Sequence, residues 1–237
     1  MLSQVNHWME FVGSAIDLIL LLRVLSLRLY RTYLFITLSC LIAVFFDGVQ
    51  VWLGESPEGV RLFFYSRFLF AFLFPLAAWE VFEEIKTPIA NLRRLAITRT
   101  VTSLLTITIL GLIFAGFAEN GDDSTGLAFV STLGMFVWTG SAAGSLAFLW
   151  VMRTGMKRQA VQPPHNTFVW LVYFGLSLLG EVLYAFIILV EQALPPLWRD
   201  VLYFVLALYG CVVTAWCVLK LRALPSDVSS APVSESS

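Results

Sequence analysis

Five ionisable residues interrupt stretches that are otherwise almost wholly apolar: Asp17, Asp47, Arg67, Glu80 and Glu181. In hydrocarbon an ionisable side chain is costly, so its default role is to pair or to serve a function inside a group of packed helices. Depth follows from the helical rise. Asp47 precedes Leu53, and Arg67 follows Val60, by a distance that places each about 10 Å below the outer boundary. An Asp47–Arg67 ion pair on consecutive helices is therefore expected. Asp17 and Glu181 come slightly deeper, roughly 13 Å from the outer ends of their segments. Three acids and one base at similar depth predict an outward-facing polar pocket.

Neighbours on the same faces extend that pocket. Glu10, Ser14 and Asp17 share one face of a first helix, Asp47 and Gln50 one of a second, and Ser177, Glu181 and Tyr184 one of a sixth. With a single arginine against three acids, Glu181 is the candidate for a proton-binding or hydrogen-bonding carboxyl. The alternative is that it bonds a facing Ser, Thr or Tyr and holds helices together. The ligand-binding candidates are thus Glu181, Asp47, Arg67, Asp17, Tyr184 and Gln50. Glu80, beside Glu83, Glu84 and Lys86, reads as a side chain snorkelling to the cytoplasmic surface.

The elements that must position these residues are transmembrane helices. The 237 residues are 59% hydrophobic and 13% charged, with a mean hydropathy of +0.82, too apolar for a soluble domain. Stretches 124–152 and 201–219 contain no Asp, Glu, Lys or Arg, and spanning the hydrocarbon takes roughly 20 apolar residues. Seven such segments are expected: Val5–Leu25, Thr32–Leu53, Val60–Phe82, Leu95–Ala118, Gly126–Met152, Thr167–Val190 and Leu197–Leu219. Breakers separate them at Gly54-Glu-Ser-Pro57, Asn120-Gly-Asp-Asp123, Pro163-Pro164 and Pro195-Pro196. Residues 1–222 read as one seven-helix transmembrane domain, and 223–237 as a disordered, Ser-rich cytoplasmic tail. No Lys or Arg precedes Arg23, so a cleaved signal peptide is not expected.

Orientation follows from the connections. Twelve of the fifteen basic residues fall on one side; only Arg61, Arg67 and Arg199 lie toward the other, whose loops are acidic. The basic side is expected to be cytoplasmic, which places the N-terminus outside and the C-terminus inside a cell (inner) membrane. Tryptophan agrees: Trp8, Trp52 and Trp198 fall near outer ends, Trp79, Trp150, Trp170 and Trp216 near inner ends, and only Trp138 sits mid-span.

Weaker patterns accompany these. Helices three and seven both end in Ala-Trp before a lysine (Ala78-Trp79, Ala215-Trp216), and helices two and six each carry one acid in their outer half. Such matches suit parallel three-helix repeats around a Thr-rich fourth helix, an arrangement that builds some carriers. Gly140-Ser-Ala-Ala-Gly144-Ser145 is a small-residue face for close packing, expected within the monomer. Pro75 is expected to kink the third helix.

Several functions are excluded by residues they require. A net charge of −1 argues against nucleic acid. Cys40, Cys211 and Cys217 lie in apolar runs with no Cys-x-x-Cys spacing, so no redox role follows. A retinal protein needs a lysine within its last helix, where only the terminal Lys220 is present. Two histidines, His7 and His165, on opposite sides support neither transmembrane haem nor a three-histidine zinc hydrolase. No enzyme, cofactor or metal is expected. The expected function is a receptor-like or accessory module that binds a small ligand from outside and acts through a membrane or cytoplasmic protein partner. The alternatives are a small-solute carrier with a proton- or cation-linked carboxylate, and a structural subunit of a membrane assembly.

Overall fold

A computed structural model describes residues 2–53, 56–86, 89, 127–190 and 194–224, together with a set of positions between 91 and 113. Among the described residues all regular structure is helical, in seven helices. They are α1 (Leu2–Ser26), α2 (Leu34–Leu53), α3 (Pro57–Glu80), α4 (the helical positions described between 91 and 113), α5 (Leu127–Arg158), α6 (His165–Val190) and α7 (Pro196–Lys220). Three stretches of described helix, Leu133–Arg158, His165–Ile188 and Pro196–Lys220, are long and apolar enough to cross a membrane, so the chain is suited to lie in one. The expected loop 120–123 and the tail from 225 onward lie outside the described residues.

Local chemistry sets the helix limits. Ser56 caps α3, its Oγ accepting from the Gly59 N–H at 3.1 Å, with Pro57 in the first turn; Pro196 begins α7 in the same way. Helix α5 runs to Arg158 rather than stopping near Met152. Nothing breaks it before Ala160, and Lys157 and Arg158 in its last turn complement the helix dipole. Arg153 and Lys157 are therefore helical residues instead of loop residues.

The helices form a ring. Each of α1, α2, α3, α5, α6 and α7 packs mainly against the next, and α7 closes on α1. Asp17 and the rest of α1 are thus part of the ring wall. A half-turn of this ring carries α1 to α5, α2 to α6 and α3 to α7, the correspondence expected of parallel three-helix repeats. Backbone detail follows the same rule. The only non-glycine residues with positive φ among those described are Arg28 (55°) and Ala160 (54°), each two residues beyond the first helix of its half. Both third helices begin at a proline, and both are tied at their C-terminal ends to the N-terminal end of the second helix.

Those ties gather at one end of the ring. In the first half the Glu80 carboxylate, buried at the end of α3, accepts from the backbone N–H of Leu34 (2.6 Å) and Ile36 (2.8 Å) at the start of α2. It does not snorkel to the surface as its neighbours suggested: α2 has no acid in its own first turn, and Glu80 supplies the missing cap from another helix. The Tyr33 hydroxyl donates to Glu84 alongside. In the second half Asn166 Nδ2 donates to the Arg222 carbonyl (2.8 Å) while its Oδ1 accepts from the Arg222 N–H (3.1 Å), and His165 Nε2 lies 2.8 Å from the Lys220 carbonyl. Arg23 Nη2 joins α1 by donating to the Leu221 carbonyl at 3.1 Å. Beneath these bonds Leu29, Tyr33, Phe82, Met152, Trp170 and Leu221 are almost fully buried in one apolar core. Arg93 is also bound here. It stacks on Trp79 (3.7 Å to the ring centroid) and donates to Glu83 at 3.1 Å. Lys86 and Arg93 together hold the Glu83 carboxyl below the usual carboxylate range.

The small-residue face of α5 packs within the chain, against α3. Ser141, Ala142 and Ser145 are fully buried, and the Ser141 hydroxyl donates to the Ala71 carbonyl. That carbonyl lies four residues before Pro75, whose missing N–H leaves it without a helical donor. Ser141 thus supplies, from a neighbouring helix, the bond that proline removes. Ser141→Ala should lower unfolding free energy by ~1–2 kcal/mol. The loss should shrink clearly in a Pro75→Ala background, where the helix regains its own donor. Unfolding of the four proteins in detergent measures that coupling, and equal losses in both backgrounds would contradict it.

On α4 the hydroxyls of Thr98, Thr102 and Thr106 donate to the carbonyls four residues earlier, at 3.2, 2.8 and 3.0 Å. Their polarity is satisfied within the helix, so this exposed threonine stripe needs no partner elsewhere.

Candidate ligand cavity

Away from the tied end, the ring holds a half-open cavity of about 660 Å³. Five helices line it: Asp17 from α1, Ser39 and Asp47 from α2, Arg67 from α3, Tyr173, Ser177, Glu181 and Tyr184 from α6, and Tyr203, Tyr209 and Thr214 from α7. Leu20, Cys40, Phe174 and Leu178 belong to both the cavity wall and the apolar core, and so form its floor. The volume falls in the range of pockets that take small molecules.

Five of the six expected binding residues therefore share one cavity. The side chain of the sixth, Gln50, lies outside those described, as does that of Glu10. The pairing is different from the one adjacency suggested. Arg67 forms an ion pair with Glu181 of α6, Nη1 to Oε2 3.6 Å, two places along the ring from its own helix. Trp138 explains the direction. It is fully buried on α5, between α3 and α6, and the guanidinium lies over its ring at 4.2 Å, with the Tyr184 ring 5.7 Å away. Stacking on Trp138 turns the arginine toward α6. The same indole meets Tyr184 edge-on at 5.7 Å, and Tyr184 in turn meets Tyr203 at 5.8 Å. Asp47 remains within electrostatic reach of both Arg67 and Glu181.

The opposite side of the cavity is acidic. Asp17 faces the Thr214 hydroxyl and lies within electrostatic reach of Asp47 and of Tyr173. Tyr173 packs edge-on against Phe174 at 5.2 Å and against the buried Trp170 at 5.8 Å. Close approach shapes the α6–α7 wall. A methyl group on Gly180 would meet Tyr209 Cε1 at 3.2 Å, so a larger residue there would push that ring, which is held by its hydroxyl bond to the Leu176 carbonyl at 2.8 Å.

Four contributors, Trp138, Tyr173, Tyr203 and Tyr209, were not singled out in the sequence as parts of a site. Trp138 is the platform for Arg67, and its signal was available: it is the one tryptophan that the sequence puts mid-span. Tyr173, Tyr203 and Tyr209 gave no such signal, because aromatic residues are frequent in every span. Among the described residues no group of three or more His, Cys, Asp or Glu could hold a metal ion. Comparisons with family models, with curated proteins and with solved structures give no match.

Proposed function

We propose that the chain is a multi-pass protein of the cell (inner) membrane with seven transmembrane helices, its N-terminus outside and its C-terminus in the cytoplasm. The cavity binds a small ligand from the outer side, and the protein acts in a receptor-like way through a protein partner at its basic cytoplasmic end. The carrying observation is the lining of the cavity: acids, an arginine and tyrosines from five helices face one half-open space whose other end is packed shut. The excess of Lys and Arg at the tied end supports the orientation. No catalytic role is proposed.

A carrier is the second reading, favoured by the half-turn arrangement of the ring, since parallel repeats occur in transporters. It requires the core around Phe82 and Trp170 to part, whereas a receptor needs only small shifts of the ring. A structural subunit of a membrane assembly is the third reading, and it needs no ligand.

The test is a thermal-shift screen of purified protein against small metabolites and ions between pH 5 and 8. A ligand at a hundred times its dissociation constant adds about 2.7 kcal/mol to the folded state. We expect a stabilising ligand whose effect is lost in Glu181→Gln. Flux into vesicles then separates carrier from receptor. No stabilisation by any compound, with the variant clearly less stable than wild type, would make the polar residues structural.

A further inference from the structure

The walls of the cavity define the chemistry of its ligand, an inference that rests on the reading of this cavity as a ligand site. Three carboxylates and one guanidinium line it among the described residues. The guanidinium is already matched: it lies against Glu181 and on the faces of Trp138 and Tyr184. Asp17 and Asp47, which face the same space, are the remaining acids, and a cation bound beside them would favour their ionised form. An anion entering here would oppose the ionisation of these acids, with Arg67 the one cation in the lining among the described residues, whereas a cation would pair with them.

A second and independent feature is the aromatic lining, made by Phe70, Phe74, Tyr173, Phe174, Tyr203 and Tyr209. Aromatic faces attract cations, above all quaternary and primary ammonium groups, and they also bury an apolar body. A bare metal ion suits neither the space nor the donors. About 660 Å³ would leave it mostly surrounded by water, and no metal-holding cluster is present among the described residues.

We propose that the cavity takes a small organic cation, an amine or quaternary ammonium with an apolar body, its nitrogen held between Asp17 and Asp47 and its body against Tyr173 and the neighbouring rings. Arg67 and Glu181 close the other side as an ion pair whose opposite charges both reach Asp47, so their effects on the charge of the ligand oppose each other.

The test uses charged and neutral molecules of the same shape on the full-length protein in detergent: choline against 3,3-dimethylbutan-1-ol, and benzylamine against benzyl alcohol. Binding is read by thermal shift and by tryptophan fluorescence. In each pair the cation should bind at least tenfold more tightly than the alcohol. Asp47→Asn should remove most of that difference while leaving the alcohol unchanged. Should Asp47→Asn not fold, the wild-type ratio alone decides. Equal binding within each pair, or tighter binding of the alcohols or of benzoate, would overturn the charge assignment and leave the ligand cavity standing. No binding by any member of this set or of the wider metabolite screen would overturn both.

Discussion

Glu80→Ala should lower unfolding free energy by about 3 kcal/mol, a large effect for one side chain in a chain of this size. The reason is that its carboxylate is buried and serves two backbone donors, Leu34 N–H and Ile36 N–H, at the first turn of α2. Charge-assisted bonds of this kind contribute ~1.5–3 kcal/mol each, and the dipole of α2 adds to them. Alanine leaves both donors without a partner in an apolar core. Glu80→Gln keeps one acceptor oxygen and the shape, so its loss should be about half. Equilibrium unfolding in detergent gives the ranking wild type, Gln, Ala. A Gln variant as damaged as the Ala variant would mean that the charge alone matters, and an unaffected Ala variant would remove the cap.

The second large effect concerns Arg67. Breaking a buried ion pair from one side costs about 3–5 kcal/mol, because the other charge is left behind. Here both partners reach the cavity, Arg67 at 18% and Glu181 at 30% side-chain exposure, so solvent screening moves the expectation to the lower end, about 2–3 kcal/mol for Arg67→Ala. Part of that loss is the stacking on Trp138. Glu181→Gln should cost less, about 1 kcal/mol, since the glutamine remains a hydrogen-bond partner. Replacing both residues by methionine should restore stability close to wild type, because a hydrophobic pair of similar volume avoids desolvating two charges. A double variant no more stable than Arg67→Ala would show that the pair is not the source of the loss.

The helices were legible because charge-free runs such as 124–152, 159–180 and 201–219 are long and apolar, while Pro57 and Pro196 mark where two helices begin. The cavity acids were legible for the same reason, since the depths of Asp17, Asp47, Arg67 and Glu181 need only the helical rise. What escaped depends on which helices meet. Adjacency of α2 and α3 pointed Arg67 to Asp47, but the indole of Trp138 lies on the other side of α3 and draws the guanidinium to α6. Glu80 read as an interfacial acid because Glu83, Glu84 and Lys86 surround it, while the N–H groups it caps belong to residues 46 and 44 positions earlier. Pro75 announced an orphaned carbonyl, yet the repairing hydroxyl, Ser141, is 70 residues away from it. The half-turn correspondence was faint in residue identities; the ring order is compatible with it, and the left-handed turns at Arg28 and Ala160 fall at matching places.

The central claim is that the cavity is reached from the outer side while the tied end faces the cytoplasm. Thiol accessibility measures this most directly. With Cys40, Cys211 and Cys217 replaced by alanine, Ser177→Cys places one thiol in the cavity wall, and Gln159→Cys places one on the exposed turn at the tied end. In intact cells a membrane-impermeant thiol reagent should label the Ser177→Cys protein, and should label the Gln159→Cys protein only once the membrane is opened. Labelling of the Gln159→Cys protein in intact cells, or of the Ser177→Cys protein solely in inside-out vesicles, would contradict the account.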